Sequence, residues 1–166
     1  MTLIKDFTSD PGEIRNAFSG YPSGVAALSA LVDGGPTVMI ASSFTVGVSY
    51  DPPMVSFAAQ KSSTTWPVLS RAQAIGVSIL GEEHADSTRQ LASRNKDSRF
   101  AGLGKVEAAS GAIFLEGAPV WLECTIEHSY PAGDHDIIVL RVLAMMSDDE
   151  RNPLVWHRQT LKMLDR

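Results

Sequence analysis

The stretch from Thr37 to Arg71, TVMIASSFTVGVSYDPPMVSFAAQKSSTTWPVLSR, decides the fold of this chain. An apolar run over residues 38–40 opens into a cluster of small hydroxyl residues at 42–45, broken only by a phenylalanine. A second apolar run follows Pro52-Pro53 and ends in the hydroxyl cluster at 62–65, where a helix is predicted to start. Two strands that are each followed by small hydrogen-bond donors predict a cradle for a flat, phosphorylated ligand.

Length and charge restrict the class of protein. A chain of 166 residues that is 44% hydrophobic suits one domain over residues 1–166. Its formal net charge is −5 and its basic residues are scattered, so nothing attracts it to nucleic acid or to an anionic membrane. No run approaches the roughly 20 apolar residues of a membrane span. We therefore expect neither nucleic acid nor membrane as a partner.

The single cysteine, Cys124, excludes an intrachain disulfide and suits a reducing compartment. It lies in an apolar-alternating run over residues 120–126, which favours a small buried side chain over a nucleophile. The amino-terminal residues 1–18 lack the pattern of a secretory leader. These features predict a soluble, cytoplasmic protein.

The sequence pattern predicts many strands and few, short helices. Ser9 to Glu13 is a helix start, and Ile14, Ala17 and Phe18 give that helix one apolar face before Gly20 ends it. Strands are predicted over 25–32, 37–43, 54–59, 75–80, 106–108, 113–115, 118–130 and 136–145. Helical segments are predicted from Ser62 or Ser63 to about Ala72 and over 82–92. This order predicts an all-β dominated, antiparallel barrel rather than a parallel sheet.

A search for catalytic motifs is mostly negative. There is no G-x-G-x-x-G, no G-x-x-x-x-G-K-[ST] and no G-x-S-x-G. The four histidines are far apart and lack cysteine or carboxylate neighbours at ligand spacing, so no metal site is predicted. Metal-free chemistry without a protein nucleophile, or binding alone, remains.

Six segments together resemble the flavin reductase-like family, over about residues 16–161. They are residues 21–25 (YPSGV), 41–45 (ASSFT), 49–53 (SYDPP), 61–67 (KSSTTWP), 99–100 (RF) and 132–135 (AGDH). The resemblance implies an FMN-binding split β-barrel with Greek-key connections, usually a homodimer. It also implies that NADH or NADPH reduces FMN or FAD, and that the reduced flavin passes to an oxygenase partner.

The resemblance also implies the residues of the site. His135 is expected to lie on the nicotinamide side of the site, where its role would be positional and electrostatic. The residues expected to contact the cofactor are Ser23, Ala41, Ser42, Ser43, Phe44, Thr45, Ser49, Lys61, Ser62, Ser63, Thr64, Arg99, Phe100 and Trp156. Hydroxyls and backbone N–H groups at the helix start of residues 62–64 would bind phosphate, with Lys61 adding charge.

Several alternatives stay open. The hydroxyls at 62–64 could simply cap a helix, and Trp156 could anchor a dimer core instead of contacting a ligand. Ser78 and Gln159 depart from the family pattern, which commonly has Asn and Gly there. The sequence does not distinguish FMN from FAD as the flavin, or NADH from NADPH as the hydride donor. Rival functions are a flavin oxidase or oxygenase of the pyridoxamine-phosphate-oxidase type and a non-catalytic flavin- or haem-binding module.

Overall fold

The computed structural model describes residues 9–164 of the chain. The first helix, α1, spans Pro11–Ser19 and begins after Asp10, whose side chain accepts a hydrogen bond from the Gly12 N–H at 2.8 Å. The first five strands follow in order: β1 (Ser23–Gly24), β2 (Ala26–Val32), β3 (Gly35–Ala41), β4 (Thr45–Tyr50) and β5 (Pro53–Gln60).

The rest of the chain is also mainly β. Its short helical pieces are α2 (Trp66–Leu69), α3 (Thr88–Leu91) and the 3₁₀ turns Glu82–His84 and Lys96–Ser98. Its strands are β6 (Ile75–Ile79), β7 (Lys105–Glu107), β8 (Ile113–Leu115), β9 (Val120–Ala132), β10 (His135–Ser147), β11 (Leu154–His157) and β12 (Thr160–Met163). The prediction of antiparallel strands with few, short helices is confirmed.

The strands form one large sheet and two small ones. The large sheet has seven strands in the order β3-β2-β6-β9-β10-β5-β4, and every pairing in it is antiparallel. Its edge strands β3 and β4 are consecutive in the chain, so residues 42–44 join its two edges and the sheet curls back on itself. The small sheets are β1-β11-β12 and β7-β8.

Strand β2 is buried on both faces. Its Leu28 belongs to the main core with Phe57 and Leu140, while its Ala27 belongs to a second cluster with Leu80 and Leu115. Because both faces are covered, β2 reads as a nearly continuous apolar run rather than an alternating one. The second cluster also forms the floor of the cleft described below.

Strand β8 crosses the outer face of β2 and β6 at close range. A Cβ at Gly76 would overlap the backbone of Ile113, so only glycine allows this approach. The Ser29 hydroxyl donates to the Ile113 carbonyl at 2.8 Å, and the Leu115 N–H donates to the Ser78 hydroxyl at 2.9 Å. We call this contact the crossing. It also gives a role to Ser78, which departs from the family pattern.

Two predicted helices are shorter than expected. In α2 the α-helical bonding ends at Ser70, and the last turn to Ala72 is tightened by the bonds Arg71 N to Val68 O and Ala72 N to Leu69 O. The segment predicted over 82–92 is divided into the 3₁₀ turn Glu82–His84 and the helix Thr88–Leu91; between them the His84 carbonyl accepts from the Ser87 N–H at 3.1 Å and from the Thr88 hydroxyl at 2.7 Å.

Two other regions differ from the predictions. Strand β4 and the hairpin of β11 and β12 were not predicted. Strand β4 alternates as T-V-G-V-S-Y but is largely exposed, and β11 and β12 have only four residues each, too few for a clear period-2 signal. Helix α1 has no buried residue, and Phe18 is 75% exposed, so its apolar face does not pack on the core. Within residues 9–164 no helix has the length and apolar character needed to cross a membrane.

Candidate active site

A cleft with two adjoining chambers opens beside the second core cluster. Ile40, Ser42 and Ala92 line both chambers, so the two adjoin each other. The narrow chamber has a volume of about 370 Å³ and the wide chamber one of about 750 Å³. Each is within the range of a small-molecule site.

The narrow chamber brings together both hydroxyl clusters of the opening stretch. Six of the predicted site residues line it: Ala41, Ser42, Ser43, Ser63, Arg99 and His135. The Ser43 hydroxyl accepts a hydrogen bond from the Ala58 N–H at 2.9 Å, which ties the end of β3 to β5. The curl of the sheet therefore unites two stretches that are twenty residues apart in sequence.

Arg99 is a buried cation at the wall of the narrow chamber. It is 9% exposed, and three neutral oxygens hold it: Nε donates to Ser93 O at 2.7 Å, and Nη1 donates to Val38 O at 2.6 Å and to Thr65 Oγ1 at 3.1 Å. None of the ion pairs among residues 9–164 includes it. Burial lowers the pKa of Arg99 from its ordinary value. An anionic ligand group would compensate this charge.

His135 also lines the narrow chamber, at the start of β10. It pairs with Gln60 across the sheet, and both residues line the narrow chamber. The Asp134 carboxylate accepts a hydrogen bond from His135 Nδ1 at 2.7 Å, and this contact lowers the pKa of Asp134 below its usual value. The bond leaves Nε2 of His135 as the ring nitrogen free to meet a ligand.

Lys61 holds the turn that carries His135. Its ammonium group donates to the Gly133 carbonyl at 2.6 Å, and its backbone N–H donates to the Asp134 carbonyl at 3.0 Å. It lies outside both chambers, so its contacts here position the turn.

Ser63 acts as a helix cap as well as a chamber residue. Its hydroxyl accepts from the N–H groups of Thr65 and Trp66 at 3.2 and 3.1 Å. Because α2 has only four residues, its dipole is small, and the backbone donors next to the cap are already used. Near the hydroxyl cluster at 62–65, the positive charge is therefore that of Arg99 more than that of the helix.

Eight predicted site residues lie outside both chambers. They are Ser23, Phe44, Thr45, Ser49, Lys61, Ser62, Thr64 and Phe100. Phe44 packs against the main core and Phe100 against the second cluster. Ser23 pairs with Trp156 between β1 and β11, and Ser49 pairs with Met54. Thr45, Ser62 and Thr64 are exposed.

The wide chamber contains Trp156 and several residues that sequence reasoning missed. Its wall combines the carboxy-terminal hairpin, through Trp156, Gln159 and Thr160, with Asp86 and Arg89 from the segment around α3. The narrow chamber adds Met39, Ile40, Ala58, Gln60, Thr65, Leu91 and Ala92. Thr65 lies in the hydroxyl cluster at 62–65 and Gln159 was noted as a departure from the family pattern, whereas Gln60 could be found only from its pairing with His135, which needs the strand register.

The described residues include no group of three or more metal-ligating side chains that could hold a metal ion. Arg99, His135 and the hydroxyls instead offer one buried positive charge, one imidazole and several neutral donors. Such a set can bind and orient an anionic, planar ligand without activating a nucleophile.

Comparisons with known proteins point to one family. The model of the family described as "Flavin reductase like domain" matches residues 18–165. A flavin reductase of Pseudomonas putida is 33% identical over 150 residues, which cover 90% of this chain and 87% of the relative. The reductase subunit of a flavin-dependent monooxygenase of Rhodococcus jostii is 30% identical, covering 90% of this chain and 75% of the relative.

A solved structure extends the match to the whole fold. The NADH:FAD oxidoreductase of Streptomyces globisporus has a TM-score of 0.88 to this chain and is 26% identical, with coverage of 100% of this chain and 99% of that one. The predicted split-barrel fold is confirmed by this likeness together with the curled antiparallel sheet.

Proposed function

The chain belongs to the flavin reductase-like domain family, and we propose that its reaction takes place in the two-chambered cleft. The protein is an NAD(P)H:flavin oxidoreductase that reduces FMN or FAD with NADH or NADPH. It supplies the reduced flavin to a partner monooxygenase. The oxidase and binding-module alternatives are thereby set aside.

Arg99 is the observation that carries the placement of the flavin. A buried guanidinium that bonds only neutral oxygens needs an anion nearby, and the phosphate of FMN or FAD supplies one. Within residues 9–164 its second terminal nitrogen, Nη2, makes no hydrogen bond. The hydroxyls of Ser42, Ser43 and Thr65 line the same chamber and add neutral donors. The residues present therefore fit a flavin phosphate.

The chain's own residues bind and orient rather than react. The bound flavin and nicotinamide supply hydride transfer when their rings stack, and no protein acid or base is required for it. Small side chains at 41–43 let the main chain approach the ligand closely. His135 meets the nicotinamide nucleotide through Nε2, while Asp134 fixes the ring.

The exposed members of the predicted set, Thr45, Ser62 and Thr64, are proposed contacts at the rim of the narrow chamber. Ser23, Ser49, Phe44 and Phe100 are proposed to act indirectly, through the strands and core clusters that they join. Lys61 is proposed as a positioning residue for His135.

The test compares riboflavin, which has no phosphate, with the phosphorylated flavins FMN and FAD. NADH and NADPH oxidation is measured with FMN, FAD and riboflavin. We expect FMN to be used with a KM at least about tenfold below that of riboflavin, since a charge-assisted bond contributes about 1.5–3 kcal/mol. Arg99→Gln should remove this preference and Arg99→Lys should keep part of it. No oxidation with any flavin would refute the function. An unchanged FMN preference in folded Arg99→Gln would refute the phosphate placement.

We also propose that the protein works as a homodimer. Large apolar side chains are exposed on β9, β10 and β4, which lie in one half of the large sheet with β5 between β10 and β4, among them Tyr50 at 88% and Met145 at 71%. Val46, Val48, Tyr130, Ile137 and Leu143 belong to the same set. An apolar surface of this kind marks a protein interface. Light scattering after size exclusion should give twice the chain mass, and Met145→Glu should lower it; a monomeric wild-type protein would refute the proposal.

Residues 1–166 are proposed to act as a single domain in the cytoplasm. The family match over residues 18–165 supports one domain. The buried free thiol of Cys124 suits a reducing compartment, where NADH and NADPH are also supplied. Fractionation of cells that express the tagged protein checks the location.

A further inference from the structure

The hairpin between β11 and β12 closes with two residues in an unfavourable backbone conformation. Arg158 has φ 48° and Gln159 has φ 61°, and neither is glycine. A two-residue turn with positive φ at both positions normally takes Asn-Gly or Gly-Gly, because a side chain crowds the backbone there. Glycine at either position would form this turn more easily.

The two turn residues differ in where they lie. Gln159 lines the wide chamber, while Arg158 does not belong to its lining. Trp156, Thr160 and Leu161 of the same hairpin line the chamber as well. A strained residue that is kept at a ligand-sized cavity indicates a functional reason for its side chain.

The wide chamber offers the chemistry that recognises an adenylate group. Trp156 supplies an aromatic surface on which a base can stack, and the Gln159 carboxamide has both donors and an acceptor for the edge of adenine. Asp86 and Arg89 line the same chamber and take part in no ion pair among residues 9–164. A carboxylate accepts from ribose hydroxyls, and a guanidinium binds phosphate.

We propose that the wide chamber binds the adenylate half of a dinucleotide and that Gln159 is one of its contacts. This inference rests on the proposed function, since it assumes that flavin and nicotinamide nucleotides occupy the cleft. The narrow chamber, with Arg99 and His135, then holds the half that carries the reacting ring. Ser42 lines both chambers, so the two halves of one dinucleotide would lie in adjoining cavities.

Two ligands carry an adenylate group, and the experiment separates them. FAD is compared with FMN by titration, and NADH is compared with reduced nicotinamide mononucleotide by KM. In each pair only the first member has the adenylate. AMP is added as a competitor in both arms.

The decisive variant is Gln159→Gly, and its matched control is Arg158→Gly. Both remove a side chain from a positive-φ position, so both should raise the Tm by a few degrees. Only Gln159→Gly should weaken a ligand, by about five- to tenfold for the dinucleotide and less than twofold for its mononucleotide partner. The Gln159→Asn variant should lose less affinity for the dinucleotide than Gln159→Gly does, because Asn tolerates positive φ and keeps an amide on a shorter side chain.

The outcomes distinguish this inference from the proposed function. Selective weakening of FAD assigns the adenylate to the flavin, and selective weakening of NADH assigns it to the hydride donor. Equal behaviour of Gln159→Gly and Arg158→Gly in both arms, in a protein that still oxidises NADH with FMN, overturns the inference and leaves the function intact. The absence of NADH and NADPH oxidation with FMN, FAD and riboflavin overturns both.

Discussion

The crossing and the cleft use the same residue types for opposite purposes. At the crossing, the hydroxyls of Ser29 and Ser78 are fully buried and each bonds the backbone of β8. In the cleft, Ser42 is exposed and Arg99 is a buried charge that only neutral oxygens surround. The first region satisfies its polar groups internally, which stabilises the fold. The second leaves donors and charge for a ligand.

The largest expected effect is at Gly76, and it tests how tightly the crossing is packed. Gly76→Ala places a methyl group against the Ile113 backbone, which cannot move without breaking its bond from the Ser29 hydroxyl and disturbing the adjacent bridge between Ala30 and Ala112. We expect a loss of about 3 kcal/mol or more in the free energy of unfolding, measured in urea. Gly24→Ala is the control, since no atom lies within 4 Å of its Cβ. Similar losses in both variants would contradict the close approach.

The next largest expected effect is a difference in stability between two variants, one with a serine removed from the crossing and one with a serine removed from the cleft. Ser78→Ala leaves the buried Leu115 N–H without an acceptor, which should lower the free energy of unfolding by about 1–3 kcal/mol. Ser42→Ala should change it by less than about 0.5 kcal/mol, because its hydroxyl is exposed. Flavin titration should show the reverse order, with Ser42→Ala the weaker binder. If both variants lost stability equally, the distinction between the two regions would fail.

The sequence predicted the cleft better than the crossing, for a physical reason. The hydroxyl clusters at 42–45 and 62–65 follow strands, so their meeting follows from strand order, and Ala41, Ser42, Ser43 and Ser63 do line one chamber. The crossing joins Gly76 to Ile113 across the outer face of a sheet, and no local pattern reports such a contact.

The helical and charged parts of the site were harder to predict. Residues 62–72 carry a helix signal, yet only Trp66–Leu69 is α-helical, because a cap and turn bonds satisfy the rest. Arg99 was selected by resemblance alone. Its burial depends on Val38 and Thr65, which come from distant segments, as well as on the nearby Ser93 carbonyl. Gln159 was noted only as a departure from glycine, and its positive φ explains why glycine is common there.

A smaller effect tests the nicotinamide side of the cleft. His135→Ala should raise the KM for NADH by about tenfold, which is about 1.4 kcal/mol, and should change flavin affinity by less than twofold. His157→Ala is the matched control, because His157 bonds Lys162 and lines neither chamber. Equal losses of NADH and flavin binding in His135→Ala would refute the assignment.

The smallest expected effect is a pH-dependent change in the free energy of unfolding that comes from Cys124, a side chain buried in the core. Cys124 is fully buried and pairs with Ile75 of β6, and burial raises the pKa of its thiol to about 12 from an ordinary value of 9.0. A pKa that is raised on folding gives stability that is complete below the unfolded value and is lost as the pH rises towards the folded one.

At pH 9.5 this loss should be about 0.8 kcal/mol relative to pH 7. Cys124→Ala removes the ionising group, so the difference in unfolding free energy between wild type and variant should shrink by that amount between the two pH values. The native thiol should also resist a disulfide reagent at pH 8 and react after unfolding. A parallel pH dependence of the two proteins, or rapid labelling of the native one, would mean that solvent reaches the core beneath the crossing as readily as it reaches the cleft.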